Sequence, residues 1–308
     1  MTAPSANAAV ELEALEESVR ALIAHDAKLR EVASGGSWFE GPAWVGESLI
    51  WSDVVENQLL VWSRKGGTRT WIDPSHHQNG HTVDGEGRLL AASHGERAVV
   101  RRERDGSWRI VADLTDGKRF NSPNDLVVAS DGAVWFTDPL YGLVHPSEGF
   151  GGEQEVAGTH VYRVDPRGMV GGVTQMTKQV TMPAPNGLAF SPDEGVLYVS
   201  DSERNHILGF RLGMDLDGPR LRQPWLVHET VNGTPNGIRV DPAGRIWSSS
   251  HAGVEILAPR KPGKAARHLG TLRTPERLTN LAFSPDRKTL ALTGASSVYL
   301  VELGDISA

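Results

Sequence analysis

Six oxygen-bearing side chains stand at equivalent places in a motif that recurs along this sequence. They are Glu40, Asn79, Asn124, Asn186, Asn236 and Asn280. One is a carboxylate, the others are amides, and none is a histidine or a cysteine. Such oxygens suit a hard cation, and Ca²⁺ accepts about six to eight oxygen ligands in loose geometry. If the six positions converge, we expect one divalent cation there, first of all Ca²⁺, with Mg²⁺, Mn²⁺ or Zn²⁺ as alternatives.

The residues that follow these side chains indicate what positions them. A turn glycine comes at a fixed offset in three copies, and a β-rich run follows the turn, as in Ala133–Thr137 and Arg245–Ser248. Neighbouring copies begin 39 to 62 residues apart, from the step between 40 and 79 to the step between 124 and 186. A four-stranded propeller blade has a period of about 40 to 50 residues. The sequence therefore predicts an all-β, six-bladed β-propeller whose six side chains meet at one mouth of the central channel.

The composition agrees with one closed domain, which we assign to residues 31–308. The 308-residue chain contains 34 Gly and 18 Pro, as expected for strands joined by many turns. Its net charge is −7 and it has no long cluster of Lys and Arg, so we expect no nucleic-acid partner. No apolar stretch approaches a membrane span of about 18 residues and no signal peptide is apparent, so we expect a cytoplasmic protein without a membrane partner. The absence of cysteine excludes thiol nucleophiles, disulfides and thiolate metal sites.

Residues 1–30 differ from the repeat and are assigned to an N-terminal helical extension. Between residues 9 and 30, leucine and valine recur at threes and fours among charged residues, which predicts an amphipathic helix. We expect this helix to pack on the rim of the propeller, with a dimer contact or a cap over the channel as alternatives, and the protein to be a monomer or a homodimer. Residues 29–33 are expected to add the strand that closes the last blade.

Several longer motifs resemble those of a known family. They are Trp38–Trp44, Asn79–Thr82, Ser93–Gly95, Asn121–Asp125, Phe136–Gly142 and Pro185–Asp193. Over most of its length the chain resembles the gluconolactonase, senescence-marker-protein (regucalcin) and luciferin-regenerating-enzyme-like group, and it is most similar to the bacterial gluconolactonases. The resemblance implies a six-bladed propeller that holds one divalent metal in its channel.

The resemblance also implies the metal ligands. Glu40, Asn186 and the residue at position 236 would hold the metal, while Asn124 would complete the site or touch the substrate. The family usually has Asp in the motif that here reads Pro-Asn-Gly at 235–237, and that Asp is both a metal ligand and the presumed proton acceptor. Because the amide of Asn236 ligates but cannot accept a proton, the general base in this chain is expected elsewhere.

Several acidic and histidine side chains are candidates for that base. They are Glu40, Asp125, Asp201, His81, His94 and His251. Asp201 matches Asp53 and Asp138 of other blades, which favours a repeated structural hydrogen-bond acceptor, and Asp125 is expected to orient the neighbouring ligand. The catalytic group is expected to comprise Asn236, Glu40, His81 and Asp201. The substrate-binding group is expected to comprise Asn124, Asn79, His94, Tyr141 and His251.

The widest spacing between copies comes from a glycine-rich insert over residues 141–153. Loops of this length in compact domains are often functional. We expect a lid beside the blade that begins at Asn124, and the alternative is a surface excursion without a role.

Together these residues favour metal-assisted hydrolysis of a sugar-type lactone, a small polar substrate of carbohydrate metabolism. The metal would polarise the ester carbonyl while water attacks it. Because position 236 is an amide, the first alternative is a divergent metal-dependent enzyme, such as an isomerase, a lyase, or another esterase or phosphotriesterase. The second alternative is a non-catalytic binding propeller that a metal stabilises. No Gly-x-Ser-x-Gly elbow, His-Glu-x-x-His helix or phosphate-binding loop in the sequence supports other chemistry.

Overall fold

The computed structural model describes residues 8–167, 172–216 and 218–307. Strands dominate these residues, and the helices are short: a 3₁₀ helix over Glu17–Leu22 and the α-helices α1 (Tyr141–Val144) and α2 (Pro146–Gly149). None of the helices in these ranges is long and apolar enough to cross a membrane. The chain divides into a central unit, Ser37–Asn186, and a terminal unit that joins Met1–Gly36 to Gly187–Ala308.

The N-terminal segment contributes strands to sheets of the terminal unit. The strands are β1 (Ala8–Ala9), β2 (Glu11–Ala14) and β3 (Lys28–Ser34). Each pairs antiparallel with a neighbour, so this segment is part of the β-structure.

The central unit contains three four-stranded antiparallel sheets, each with its strands in sequential order. The first consists of β4 (Phe39–Val45), β5 (Ser48–Asp53), β6 (Gln58–Ser63) and β7 (Gly67–Ile72). The second consists of β8 (Gln78–Val83), β9 (Leu89–Ser93), β10 (Ala98–Arg102) and β11 (Trp108–Ala112). After a short hairpin of β12 (Leu114–Thr115) and β13 (Lys118–Arg119), the third consists of β14 (Leu126–Val128), β15 (Val134–Asp138), β16 (His160–Val164) and β17 (Val173–Gln175).

The terminal unit contains three sheets of the same plan, each with one additional strand. The first consists of β18 (Pro185–Phe190), whose first two residues belong to the central unit, β19 (Val196–Asp201), β20 (His206–Asp215), β21 (Gly218–Leu221) and β22 (Trp225–Glu229). The second consists of β23 (Ile238–Val240), β24 (Ile246–Ser250), β25 (Gly253–Ala258) and β26 (Arg267–Arg273), with β2 at its edge. The third consists of β27 (Leu278–Phe283), β28 (Thr289–Gly294) and β29 (Ser297–Glu302), followed by β3 and β1. These six sheets are the blades of a six-bladed β-propeller, as predicted.

Aromatic side chains fill the space between the second and third sheets of the central unit. The ring of Phe120 meets that of Phe136 edge-on at 5.0 Å, and Phe136 stacks on Tyr162 at 5.3 Å. All three residues are buried. Such pairs contribute about 0.5–1.5 kcal/mol beyond the burial of their area. This core fixes the two sheets that carry the segments beginning at Asn79 and Asn124.

The prediction of an amphipathic helix between residues 9 and 30 is wrong. Only Glu17–Leu22 is helical, as a 3₁₀ helix, and its Val19 and Leu22 are buried in the core of the terminal unit. The preceding β2 pairs with β26, with Leu12 opposite Leu272. Its sequence Glu-Leu-Glu-Ala alternates polar and apolar residues, which also fits a strand, and pairing with an available edge strand outweighs a weak local preference for helix.

The predicted closing strand is confirmed. β3 pairs antiparallel with β29, with Val298 opposite Ala33 and Leu300 opposite Arg30. A strand from the N-terminal segment therefore completes a blade whose strands β27, β28 and β29 come from the C-terminal part of the chain.

Candidate active site

Glycines bring the first strands of the central unit into backbone contact at their starts. A Cβ atom on Gly41 would lie 1.9 Å from the carbonyl oxygen of Asn79, and one on Gly80 would lie 2.5 Å from that of Asn124. Any side chain at either position would collide with backbone, so glycine is required for packing. The N–H of Gly80 also donates to the Asn124 carbonyl at 2.8 Å. Glu40, Asn79 and Asn124 therefore form a row of polar residues at, or just before, the starts of three neighbouring strands.

A hydroxyl group adds Asn186 to this row. The Oγ1 atom of Thr137, in the second strand of one blade, donates to the backbone carbonyl of Asn186 at 2.7 Å. Ser52 makes the corresponding contact to the backbone carbonyl of Asn79 at 3.2 Å. One repeated contact thus fixes the backbone at the start of the next blade.

The four side chains in this row are polar and almost completely buried. Glu40 and Asn79 are each 2% exposed, Asn124 is 3% exposed and Asn186 is 4% exposed. The Oε2 atom of Glu40 accepts the N–H of Gly41 at 2.9 Å. The Oδ1 atom of Asn79 is buried and has no hydrogen-bond partner within the described ranges. Burying such an oxygen without a partner is costly, so this row fits a cation or a polar ligand that would engage it.

The chemistry of the donors also fits a hard cation. Glu40 supplies a carboxylate, and Asn124 and Asn186 supply amide oxygens, which are ligands that Ca²⁺ accepts. Within the described parts of the chain, no three His, Asp or Glu side chains are grouped so that they could hold a metal. A cation bound to the row in the central unit would therefore depend on amide oxygens as well as on the carboxylate.

The terminal unit repeats the same local arrangement around Asn236. The backbone carbonyl of Asn236 accepts the N–H of Gly187 at 3.1 Å and the hydroxyl of Ser200 at 2.6 Å. A Cβ atom on Gly187 would lie 2.4 Å from the same carbonyl oxygen. Asn236, two residues before β23, thus has the register of the residues in the row, and it is half-buried.

In the last blade, the register assigns the equivalent place to Thr279 and not to Asn280. The N–H of Gly237 and the hydroxyl of Ser249 both contact the carbonyl oxygen of Thr279, each at 2.9 Å. The Oδ1 atom of Asn280 accepts the N–H of the next residue at 2.9 Å, as does that of Asp125. The prediction that Asn280 is the sixth member of the set is therefore wrong by one residue, because the sequence motif does not reveal a shift within a strand.

His81 is enclosed beside the start of the first blade. It is 1% exposed, and its Nδ1 atom lies 2.8 Å from the carbonyl oxygen of Gly41, so Nδ1 carries the proton. Its Nε2 atom lies 3.4 Å from the side-chain oxygen Oε1 of Gln78, which cannot donate a hydrogen bond to it. Burial lowers the pKa of His81 to about 4, which keeps the ring neutral at pH 7.

His94 is enclosed between Asn124 and the insert. It is fully buried, its Nδ1 atom lies 3.0 Å from the carbonyl oxygen of Glu148, and its Nε2 atom lies 3.4 Å from Nδ2 of Asn124. Burial lowers the pKa of His94 to about 4. The structure therefore brings Asn124, His94 and the insert into contact. The sequence did not predict this contact.

Asp201 stands at the end of a second strand, as do Asp53 and Asp138. The latter two each accept two backbone N–H groups at 2.8–3.1 Å, from Ser37 and Trp38 and from Asn121 and Ser122 respectively. Burial raises the pKa of Asp138 to about 7. Asp201 is fully buried, and its Oδ2 atom lies 3.8 Å from Nε2 of His206. Asp53 and Asp138 thus hold backbone segments in place.

Of the other residues expected to bind substrate, two occupy less enclosed places. His251 is exposed in the terminal unit, where its ring packs so closely on Gly233 that a Cβ atom there would lie 2.3 Å from the imidazole Cγ. Tyr141 is half-buried at the first position of α1. Asn79 belongs to the buried row.

The insert packs on two buried histidines of the central unit. Its helices α1 and α2 pack on His94, and Phe150, which follows α2, meets the ring of His77 edge-on at 4.5 Å. Phe150 is 61% exposed and has φ of 68°, a left-handed conformation that is unusual for a bulky residue. The insert is therefore an ordered structure in contact with the histidines beside the row.

His77 and the repeated hydroxyl groups were not predicted from the sequence. The Nδ1 atom of His77 lies 2.7 Å from the carbonyl oxygen of Val54, and both His76 and His77 have positive φ. The paired histidines two residues before Asn79 were the available signal. For the hydroxyls, the signal was a Ser or Thr before the strand-ending Asp in three blades, which are Trp-Ser-Asp, Phe-Thr-Asp and Val-Ser-Asp.

Comparison with known proteins identifies the family. Residues 38–296 match the family described as the SMP-30/Gluconolactonase/LRE-like region. The chain is 32% identical over 295 residues to the gluconolactonase of Zymomonas mobilis subsp. mobilis, an alignment that covers 88% of this chain and 80% of that protein. It is 27% identical over 261 residues to a pentonolactonase of Haloferax volcanii, with 83% of this chain and 81% of that protein covered.

Two experimental structures illustrate the range of the fold. A gluconolactonase from Xanthomonas campestris superposes with a TM-score of 0.87 at 34% identity, over 98% of this chain and 99% of that one. Regucalcin from Agrobacterium tumefaciens, a calcium-binding protein, superposes with a TM-score of 0.67 at 19% identity, over 89% of this chain and 94% of that one, which supports the fold alone. The chain belongs to the SMP-30/gluconolactonase/LRE-like family and is a gluconolactonase-like hydrolase.

Proposed function

We propose that this protein hydrolyses a sugar-type lactone with the help of one divalent cation, for which Ca²⁺ is the first candidate. The observation that carries the proposal is the buried row of oxygen donors in the central unit, where Asn79 Oδ1 has no hydrogen-bond partner within the described ranges. Membership of the family, with gluconolactonases among the relatives, supports the lactone as substrate.

Glu40, Asn124 and Asn186 are the residues of the central unit that would hold the cation. When bound, it would supply Lewis-acid polarisation of the ester carbonyl and stabilise the oxyanion that develops. By its register and by the family pattern, Asn236 is proposed as a further ligand. Asn79 is proposed to bind a hydroxyl group of the substrate through its unengaged Oδ1 atom.

The proton of the attacking water needs an acceptor other than the Asn236 amide. Two candidates lie together in the central unit, because His81 Nδ1 donates to the carbonyl of Gly41, the residue after Glu40. With Nδ1 protonated, the Nε2 atom of His81 carries a lone pair. If His81 is the acceptor, His81→Gln removes turnover and leaves calcium binding within about threefold, whereas Glu40→Gln removes both.

A test of the proposed function uses protein from which metal has been removed with a chelator. Gluconolactone and a panel of other lactones are offered at pH 7 to 8, Ca²⁺, Mg²⁺, Mn²⁺ and Zn²⁺ are restored one at a time, and spontaneous hydrolysis is subtracted. We expect turnover to return with a metal. Full activity of the metal-free protein, or a metal that binds without any turnover, would refute metal-assisted lactone hydrolysis.

One observation favours a second candidate function. Position 236 carries an amide where the family usually has a carboxylate, while its backbone keeps the contacts of the equivalent positions. These contacts fix the backbone of Asn236, and a neutral side chain suits a metal-dependent reaction that needs no base at this position. The same lactone panel extended to phosphotriesters and other esters would reveal such a change of chemistry.

A further inference from the structure

His94 joins the insert to the row of oxygen donors. Its ring is fully buried, with Nδ1 3.0 Å from the carbonyl oxygen of Glu148 and Nε2 3.4 Å from Nδ2 of Asn124. Two glycines of the insert pack closely on His94. A Cβ atom on Gly142 would lie 2.7 Å, and one on Gly149 2.9 Å, from the Cβ atom of His94. The ring therefore has little freedom to turn.

The positions of the protons follow from elementary chemistry. A carbonyl oxygen can only accept, so the Nδ1 atom that faces Glu148 must carry a hydrogen. A buried imidazole between a carbonyl and an amide, with no carboxylate bonded to it, is neutral, and its Nε2 atom therefore offers a lone pair. The group of Asn124 that faces this lone pair must be the NH₂ group. The Oδ1 atom of Asn124 is then directed away from His94.

We propose that His94 is a positioning residue that holds the Asn124 amide by its NH₂ group, so that Oδ1 is the atom presented to the cation. The insert takes part because the Glu148 carbonyl selects the tautomer of His94. This inference rests on the proposed function only in taking Asn124 as a cation ligand. It gives the insert a role in preparing the site.

The energetic reason is that the two ends of a side-chain amide are nearly equal in size and opposite in polarity. An amide free to turn presents its NH₂ group to a cation for part of the time, and that orientation is repulsive. Residues that orient a metal ligand typically change metal affinity or activity by about 10- to 100-fold when they are replaced. The structure places His94 in this relation to Asn124.

Two substitutions that differ by one methylene test the proposal. In His94→Asn the shorter amide can still donate to the Glu148 carbonyl, but it cannot reach Asn124. In His94→Gln the amide oxygen reaches the former place of Nε2 and can accept from Asn124. We expect His94→Asn to weaken Ca²⁺ binding by about tenfold or more, and His94→Gln to restore it to within about threefold of the wild type. Calcium affinity of the chelated proteins is measured by isothermal titration calorimetry.

A double-mutant cycle asks whether His94 acts through Asn124. In an Asn124→Ala background, the His94→Asn substitution is expected to change calcium affinity by less than about twofold, because the amide that His94 orients is absent. An equal loss in both backgrounds would overturn the proposal, as would equal affinities for the His94→Asn and His94→Gln proteins. Thermal unfolding of each protein in chelator shows whether a variant is folded. A His94→Asn protein that fails to fold is replaced by His94→Leu, which has no atom that could accept a hydrogen bond from Asn124 and is likewise compared with His94→Gln.

The two hypotheses fail in distinguishable ways. A wild type that binds Ca²⁺ and shows the expected difference between the two His94 variants, but hydrolyses no lactone, would refute the proposed reaction and leave the positioning role intact. If the wild type hydrolyses lactone and its calcium affinity does not change on substitution of His94, the positioning role is refuted and the proposed reaction is left intact. A wild type that binds no Ca²⁺ would refute the positioning role.

Discussion

The hydroxyl group of Thr137 donates a 2.7 Å hydrogen bond to the backbone carbonyl of Asn186, which joins the second strand of one blade to the first residues of the next. Thr137 is fully buried. The position of a proposed cation ligand is therefore set by a side chain of another blade, and similar contacts recur from Ser52 to Asn79 and from Ser200 to Asn236.

Replacing Thr137 by valine should destabilise the protein and weaken calcium binding. The substitution leaves the buried carbonyl of Asn186 without this donor, which costs about 1–3 kcal/mol in the free energy of unfolding. Thr137→Ser keeps the hydroxyl and is the matched control. Urea unfolding and calcium titration of both variants check the prediction, and a Thr137→Val protein as stable as Thr137→Ser would contradict it.

Glu40→Gln should abolish metal-dependent turnover and lower calcium affinity by at least about tenfold, because it removes the charge from the carboxylate of the row while preserving its shape. Glu47→Gln, in the exposed turn that follows the same strand, is the control for a general change of charge. Calcium-dependent shifts of the thermal midpoint report binding, and lactone hydrolysis reports activity. Unchanged calcium affinity in Glu40→Gln would exclude it as a ligand.

Asn236→Asp should raise the rate of lactone hydrolysis by at least about tenfold, since it restores a carboxylate that can accept a proton at a position whose backbone is already in register. Calcium affinity should rise as well, because the added charge favours a divalent cation. Asn205→Asp, at an exposed turn, is the control. A gain in calcium affinity without a gain in rate would mean that proton transfer at this position does not limit the reaction.

The buried histidines should make the chelated protein less stable as the pH falls from about 6.5 towards 4. Burial lowers the pKa of His81 to about 4, so between these values the unfolded chain binds more protons than the folded one. Asp138 has the opposite effect on stability. Its pKa is raised from 3.8 to about 7, so between these values the folded state retains a proton that the unfolded state loses, and this contribution grows as the pH falls.

The histidine contribution can be separated by comparing variants at pH 5 and pH 7. His81→Gln should flatten the loss of stability between pH 7 and pH 5, while Asp138→Asn should steepen it. Urea unfolding free energies at the two pH values provide the measurement, and only the pH dependence of each variant is compared with that of the wild type. An identical slope in His81→Gln would show that His81 titrates normally.

Phe150→Ala should raise the KM for lactone by several-fold with a smaller change in stability. The side chain is 61% exposed, so its removal leaves the core intact, but it contacts His77 next to the row of donors and belongs to the insert proposed as a lid. Val144→Ala, 58% exposed on the same insert, is the control. Equal KM values for the two variants would argue against a role of Phe150 in substrate binding.

Much of the fold and part of the candidate site could be predicted from the sequence. The repeat of a polar residue, a strand, a turn glycine and an aromatic strand specifies the blades, because each copy carries its own alternation and turn chemistry. The same repeat identifies Glu40, Asn79, Asn124, Asn186 and Asn236 as equivalent residues. The closing role of residues 29–33 also follows from a blade that otherwise lacks a strand.

Only the tertiary structure decided the features that depend on partners distant in the chain. The segment before residue 30 became edge strands and a short 3₁₀ helix because β26 and β29 offered unpaired edges. The equivalent residue in the last blade proved to be Thr279, since register is set by hydrogen bonds between strands. The glycine after Asn79 proved to be required by contact with the next strand. The relation of His94 to Asn124 and Glu148 spans up to 54 residues of sequence. Local propensity carries no information on contacts of that kind, because they are created only when the blades pack.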